Sequence, residues 1–250
     1  MAALDFNGAA NDFFVNLSLQ TTLALPSSRE AILHFCEAVQ KEFHEMTSFY
    51  QRETGEFALE GDHESDSYQW MEMQANRLSA GYFNPPDVAE AARMHRWLLE
   101  RSVYYLGVSA LDVECLDILF GFNLDFQGNR DAIVADALLS GSALSALAAG
   151  GAIRWVECEP SFVVALDEEG YLQARLSLET RSGNYRARPG RYEEETISVY
   201  FTVRRYPQPG KVLDLKAAYS EQLRCCEDFA SRIVVPQVIQ PIAAAIAAAQ

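Results

Sequence analysis

The sequence has few basic residues for its size. Lys and Arg number 20 against 35 Asp and Glu, so the formal net charge is −15. Sequence-independent binding to nucleic acid needs clustered Lys and Arg that release counterions from the phosphates. The imbalance is concentrated in residues 1–125, with 7 basic and 20 acidic side chains, whereas residues 126–250 have 13 and 15. The composition therefore argues against a nucleic-acid partner, and mainly the first half is expected to repel anionic ligands.

The short motifs of common catalytic and metal sites are also missing. The five cysteines show no Cys-x-x-Cys spacing and no clustered histidines, which argues against a zinc site or a disulfide framework and favours a reducing cytoplasm. There is no nucleophile elbow, no Walker loop and no dinucleotide-binding glycine motif. We therefore expect no cofactor and no metal. The absence of these motifs favours a protein that is not an enzyme, although catalytic carboxylates leave no short motif.

Neither end of the sequence predicts insertion into a membrane. The N-terminus lacks the basic and apolar regions of a signal peptide. Residues 233–249 are apolar, but Pro236, Gln237, Gln240 and Pro241 interrupt them, and a span needs roughly 20 apolar residues. We expect residues 236–250 to form an Ala-rich tail packed on the protein or on a second subunit, which leaves a homodimer open.

One stretch recurs 101 residues apart, at residues 23–33 and 124–134. Each copy ends an apolar run and then, after a polar break, continues with Arg, an acidic residue, Ala and Ile. This pattern is typical of a strand followed by the first turn of a helix. It predicts two related halves, residues 12–109 and 110–235, which follow a flexible N-terminus at residues 1–11.

Hydrophobic periodicity gives the order of the elements. A period near 3.6 predicts helices at residues 28–46, 88–106, 130–147, where Gly141 is a candidate break, and 215–230. Alternation and short apolar runs predict strands at residues 13–25, 49–59, 68–83, 111–126, 153–155, 162–166, 171–179 and 197–203. The first half then has the order β-α-β-β-α, and the second half has the same order with two more strands.

This order predicts an α+β fold. Two related β-α-β-β-α halves would form curved antiparallel sheets, covered by helices on one face, because hairpins outnumber parallel crossovers. The order resembles the duplicated saddle of TATA-binding-like folds, and the second half is similar to helix-grip ligand-binding folds. Both resemblances concern element order, so they imply an architecture and no function.

The most unusual local feature is the predicted hairpin tip at residues 181–192. Guanidinium groups and tyrosine rings are suited to holding carboxylates, phosphates or bases. The alternative is that these arginines neutralise the acidic residues 167–169 and 193–195 beside them. The candidate binding residues are Arg181, Tyr185, Arg186, Arg188, Arg191 and Tyr192.

Two hypotheses of function follow. The first is a cytoplasmic, non-enzymatic adaptor that engages an acidic protein partner through the sheet face and the hairpin tip. The second is a pocket protein or enzyme that holds a small molecule between sheet and helices. Candidate pocket residues under the second hypothesis are Trp70, His95, Trp155 and Tyr200.

The acidic turn at residues 62–66 could supply metal ligands, but it lacks the residue order of a calcium loop and is expected to be solvated.

Overall fold

The computed structural model describes residues 6–148, 153–181 and 195–250. The strands in these residues are β1 (Asp12–Thr21), β2 (Ser48–Gln51), β3 (Phe57–Glu60), β4 (Tyr68–Gln74), β5 (Arg77–Phe83), β6 (Val113–Phe126), β7 (Ser161–Ala165), β8 (Leu172–Glu179) and β9 (Glu195–Arg205). The helices are α1 (Arg29–Glu42), α2 (Val88–Tyr105), α3 (Arg130–Leu139), α4 (Leu215–Phe229) and α5 (Gln240–Ala249).

All nine described strands belong to one open antiparallel sheet, in the order β2-β3-β4-β5-β1-β6-β9-β8-β7. The prediction of an α+β fold with an antiparallel sheet is therefore confirmed. The two long strands β1 and β6 pair at the centre, with Leu17 opposite Ile118. The hairpin predicted on either side of residues 181–192 is also present, because β8 pairs with β9 and places Leu178 opposite Val199.

The predicted strand count of the first half is wrong. Residues 49–59 and residues 68–83 were each predicted as one strand, but each of these segments forms two strands. The first half therefore has the order β-α-β-β-β-β-α. Gly55, with φ at 104°, lies in the turn between β2 and β3. Only Ala75 and Asn76 separate β4 from β5, since Gln74 pairs with Arg77. Alternation continues through such a short turn, so the periodicity did not reveal the reversal.

Two predictions in the second half also need correction. Residues 153–155 form no strand; the Trp155 carbonyl instead accepts a hydrogen bond from Asn129 Nδ2 at 3.1 Å. The second half therefore has the order β-α-β-β-β-α. The helix expected over residues 130–147 ends at Leu139, followed by Gly141 with φ at 78° and a short 3-10 helix at Ala143–Ala148. This backbone conformation favours glycine and ends the helix.

Helices cover one face of the sheet. Along β1, Phe13, Val15, Leu17 and Leu19 are buried, whereas the residues between them are only partly covered. Helix α2 contacts β1 and β5, and α4 contacts β6 and β9. Side chains from these strands and helices form one continuous apolar core. Phe6, in the segment expected to be flexible, belongs to this core and contacts Phe13 at a ring distance of 5.3 Å.

The chain ends in a long helix, Leu215–Ala249, that includes α4, a π-helical stretch at Ala230–Ile239 and α5. Pro236 lies inside the π-helical stretch; proline has no backbone N–H to donate, so the regular α-helical hydrogen bonds are interrupted there. By length and composition this helix could cross a membrane, and 28% of its most apolar window is buried within the fold. Its last part, α5, contacts α3 and buries Ile242 and Ile246.

The two recurring corners have different environments. Arg29 and Glu30 are exposed at the start of α1, whereas Arg130 and Asp131 are buried at the start of α3. Asp131 Oδ1 accepts hydrogen bonds from the Cys158 amide and the Thr180 hydroxyl, both at 2.7 Å. The second corner therefore anchors the segment in which the chain leaves β8 for the hairpin tip.

Candidate functional site

The side of the sheet that faces away from the helices is called the open face below. Residues opposite each other in antiparallel strands share a face, so the register places Asn16 beside Gly81 and Leu119 on this side. A depression of ≈ 480 Å³ lies across the open face. Its lining includes Asn16, Trp70, Arg77, Asp117, Arg175, Tyr200 and Arg204.

Trp70 lies over a glycine in this depression. A Cβ atom on Gly81 would stand 2.5 Å from the Trp70 Nε1 atom and would also overlap Asn16 Oδ1. Only glycine leaves this space free on β5, and an aromatic ring over a strand glycine covers the exposed backbone. The sequence of β5 therefore fixes where the indole lies, with its ring beside Asn16.

Phe14 has the same relation to Gly121 on β6, since a Cβ there would overlap the Phe14 ring. Phe14 stacks on Phe83 with ring centroids 6.1 Å apart and meets Tyr200 edge to face at 6.2 Å. Phe83 stacks in turn on Tyr68 at 5.2 Å. The four rings of Tyr68, Phe83, Phe14 and Tyr200 form an aromatic row that crosses the open face.

Arg204 and Asp117, which both line the depression, form an ion pair with each other. Arg204 donates from Nε and Nη2 to the two carboxylate oxygens of Asp117, at 2.7 and 2.5 Å. These hydrogen bonds raise the pKa of Arg204, so the guanidinium stays charged. The pair joins β6 to β9 and leaves Asp117 little capacity to neutralise a second cation.

Two other arginines in the depression have no such partner. Within residues 6–148, 153–181 and 195–250, neither Arg77 nor Arg175 forms an ion pair with a carboxylate. Among the residues that the structure describes, Arg77 Nε and Asn16 Oδ1 are buried and have no hydrogen-bond partner. Arg175 is exposed. The depression therefore combines two available guanidinium groups with the edge of an indole ring.

The structure brings together two of the four candidate pocket residues. Trp70 and Tyr200 line the same depression. His95 lies in α2 on the other side of the sheet, where its Nδ1 is 3.1 Å from the Tyr219 hydroxyl. Trp155 lies in the segment before β7 and packs partly buried against the core.

The hairpin tip lies almost entirely outside the described residues. This applies to Tyr185, Arg186, Arg188, Arg191 and Tyr192. Arg181 is described, with φ at 53°, and its Nη2 donates to Ser198 Oγ at 3.1 Å. Ser198 lies on the open face next to Tyr200, so the described base of the hairpin is continuous with that face.

Several buried groups stay in their neutral forms near pH 7. Burial lowers the pKa of His95 to about 3, and the nearby Arg96 charge adds to this effect. Burial raises the pKa of Cys36 to about 12 and that of Cys115 to about 11. Within the described part of the chain, no group of three His, Cys, Asp or Glu side chains is placed to hold a metal ion.

A second depression of ≈ 1050 Å³ lies beside α2 on the helix side. Trp97, Leu99 and Val103 contribute apolar surface to it. Arg93 also lines it, but this side chain is engaged with Glu42 and Glu90. Arg96 and Lys216 also line this second depression and form no ion pair in the described part of the chain, beside the acidic Glu100 and Asp214. The open face is preferred as the candidate site for an anionic ligand because it combines the Arg77 Nε atom, which is buried and has no partner within the described residues, with the aromatic row.

Sequence reasoning missed the residues that shape the open face. These residues all belong to segments that the sequence predicted as strands: Asn16, Arg77, Gly81, Gly121 and Arg175. The usable signal was a glycine inside each of two strand patterns, which often marks a close approach by another group. Comparisons with known protein families, with curated proteins and with solved structures gave no match.

Proposed function

We propose that this chain is a non-enzymatic binding protein whose open face engages an acidic segment of a partner protein. The observation that carries the proposal is the pair Arg77 and Arg175, which lack carboxylate partners in the described residues and share a depression with Trp70. Planar guanidinium groups hold carboxylates through two parallel hydrogen bonds. The indole edge supplies apolar contact beside them.

Charge selects the kind of partner. Asp117, Glu72 and Glu179 also lie on the open face, and the whole chain has a net charge of −15. A phosphate backbone presents regularly spaced charges that this mixed surface would repel in part. A peptide can place one or two carboxylates at the arginines and present other side chains to the aromatic row. We also propose that Arg186, Arg188 and Arg191, which lie outside the described residues, contribute to binding the same partner.

A selection experiment tests this proposal. A library of random dodecapeptides displayed on phage is selected against the protein, and the recovered peptides are measured against an Arg77→Ser/Arg175→Ser variant. We expect the peptides to be enriched in Asp and Glu and to bind the variant at least tenfold more weakly, because each lost charge-assisted contact is worth about 1.5–3 kcal/mol.

The matched control is Arg224→Ser/Arg232→Ser, which removes the same charge from exposed positions on the C-terminal helix. Peptides should bind this control like the original protein. Peptides without an acidic excess, or equal binding to both double variants, would refute the proposal.

A second candidate function is the binding of a small molecule. It is supported by the size of the open-face depression, since ≈ 480 Å³ lies within the range of about 300–1,000 Å³ typical of ligand sites. Trp70 and Tyr200 would contact such a ligand. Thermal-shift screening of small carboxylic acids on the original protein and on a Trp70→Leu variant tests it, because stabilisation must depend on Trp70.

We also propose that the two halves arose by duplication. The strand order β1-β5-β4-β3 in one direction from the centre corresponds to β6-β9-β8-β7 in the other. Superposing crystallographic coordinates of the halves should align β1, α1, β5 and α2 with β6, α3, β9 and α4. Helices that fall in different places relative to the strands would contradict a common origin.

A further inference from the structure

The strand β7 forms one edge of the sheet and presents apolar side chains to solvent. All five of its residues are exposed, including Phe162 at 59%, Val163 at 50% and Val164 at 51%. Only β8 pairs with it among residues 6–148, 153–181 and 195–250. Natural proteins usually protect an exposed apolar edge strand with charged side chains, proline or a covering element.

The hydrogen bonds that flank β7 show which of its backbone groups are free. The Leu166 amide donates to the Leu172 carbonyl at 2.7 Å, and the Leu178 amide donates to the Pro160 carbonyl at 3.1 Å. Antiparallel ladders use every second residue, so Phe162 and Val164 bond to β8. The amide and carbonyl groups of Ser161, Val163 and Ala165 therefore point away from the sheet.

The protection that natural edge strands carry is present only at the two ends of β7. No charged residue and no proline occur in Ser161–Ala165. Glu157 and Glu159 precede the strand, and residues 167–169 are all acidic. Acidic residues thus bracket an apolar, hydrogen-bonding edge.

We propose that the β7 edge binds an extended segment of another protein, with alternating apolar residues at its centre and Lys or Arg at both ends. The partner strand adds to the sheet through the free backbone groups of Ser161, Val163 and Ala165. The Lys or Arg residues at its two ends lie against the acidic residues that precede and follow β7. Val163 borders the open-face depression opposite Arg175, but the proposed pairing uses the backbone groups of β7 and not the arginines.

The same charges disfavour a second copy of this chain as the occupant. Two-fold symmetric pairing of β7 strands centred on Val163 would be antiparallel. It would place Glu159 opposite Asp167 and Glu157 opposite Glu169 of the other copy. Like charges directly opposite each other destabilise a strand pair.

The first test is a fluorescein-labelled probe peptide of five alternating Val and Thr residues with two Lys at each end. Its matched control has Glu in place of each Lys. We expect the Lys-flanked peptide to bind at least about tenfold more tightly than the Glu-flanked one in fluorescence anisotropy at low salt. In a Glu157→Lys/Glu168→Lys variant, whose altered side chains are exposed, this preference should largely disappear. An unchanged preference would overturn the proposal.

The second test removes one outward backbone donor. Val163→Pro deletes an amide that does not bond to β8, and proline is tolerated where an edge amide faces solvent. We expect Val163→Pro to abolish binding of the Lys-flanked peptide, whereas Val163→Thr should bind it like the original protein. Continued amide protection of Phe162 and Val164 in hydrogen exchange would show that Val163→Pro keeps β7 in place.

Hydrogen exchange of the unaltered protein gives an independent outcome. The Val163 amide should exchange rapidly in the free protein and become protected when the Lys-flanked peptide is bound. Protection in the free monomer would mean that another part of the chain already covers the edge. A dimer in analytical ultracentrifugation that Val163→Pro dissociates would assign the edge to a second copy. Either result would overturn the proposal.

Discussion

Trp70 of β4 occupies the space above Gly81 of β5, so closely that a Cβ on Gly81 would stand 2.5 and 2.6 Å from two atoms of the indole ring. These residues are opposite each other in the register of the two strands. The absence of a side chain at one position thus determines the location of the largest aromatic group in the open-face depression. The relationship links the sequence of β5 directly to the shape of the candidate site.

Gly81→Ala should displace the Trp70 ring and Asn16. Overpacking of this kind costs about 1–3 kcal/mol in free energy of unfolding, which urea denaturation measures. Gly8→Ala is the matched control, because no atom lies within 4 Å of a Cβ at that position, and it should change stability by less than about 0.5 kcal/mol. A Trp70 indole resonance that does not move in Gly81→Ala would contradict this packing.

The neutral, buried His95 should make stability depend on pH. Its pKa is about 3 in the folded protein and has an ordinary value of 6.5 when unfolded, so only the unfolded chain takes up the proton between these values. Stability should therefore fall as pH is lowered below 6.5, by about 1.4 kcal/mol per pH unit from this residue. Urea denaturation at pH 7.5, 6 and 5 should show a shallower dependence for His95→Gln than for the original protein. Parallel pH profiles would show that His95 is not the cause.

The two recurring corners should respond differently to the same kind of change. Asp131→Ala leaves the Cys158 amide without its buried acceptor and leaves Glu159 Oε1 as an acceptor for the Thr180 hydroxyl, and it should cost about 1–3 kcal/mol. Glu30→Ala at the corresponding position of the first corner removes only an exposed charge near a helix N-terminus and should cost less than about 1 kcal/mol. Equal losses in thermal or urea denaturation would contradict the assignment of Asp131 as a buried anchor.

The sequence predicted the elements whose apolar residues repeat with a single period over a long stretch. Helices α1, α2 and α4 and strands β1, β8 and β9 are of this kind, whereas β6 is predicted by its long apolar run. The prediction from sequence was wrong where a turn preserved the alternation, as between Gln74 and Arg77. It was also wrong at residues 153–155, because a segment of three residues is too short to show a period. Chain reversals depend on a few local backbone angles, which hydrophobic patterning does not report.

The environment of the repeated corner was also beyond sequence reasoning. Arg29 and Arg130 occupy equivalent places in the pattern, yet only Arg130 is buried, because Thr180 and residues 153–159 pack over the second corner. The open-face site depended in the same way on strand register. Trp70 and Tyr200 are 130 positions apart, and they meet in one depression only because β4, β5, β1, β6 and β9 are neighbours in that order.

The central claim, that an acidic segment binds the open face at Trp70, is tested most directly by NMR of the three tryptophan indole groups. Trp70→Phe assigns the Trp70 Nε1–H resonance, and an acidic peptide recovered by selection is then titrated into the protein. The Trp70 resonance should shift progressively, whereas those of Trp97, in α2, and Trp155 should stay in place. Arg77→Ser/Arg175→Ser should abolish the shift. A Trp97 shift with an unchanged Trp70 resonance would place the ligand on the helix side and contradict the claim.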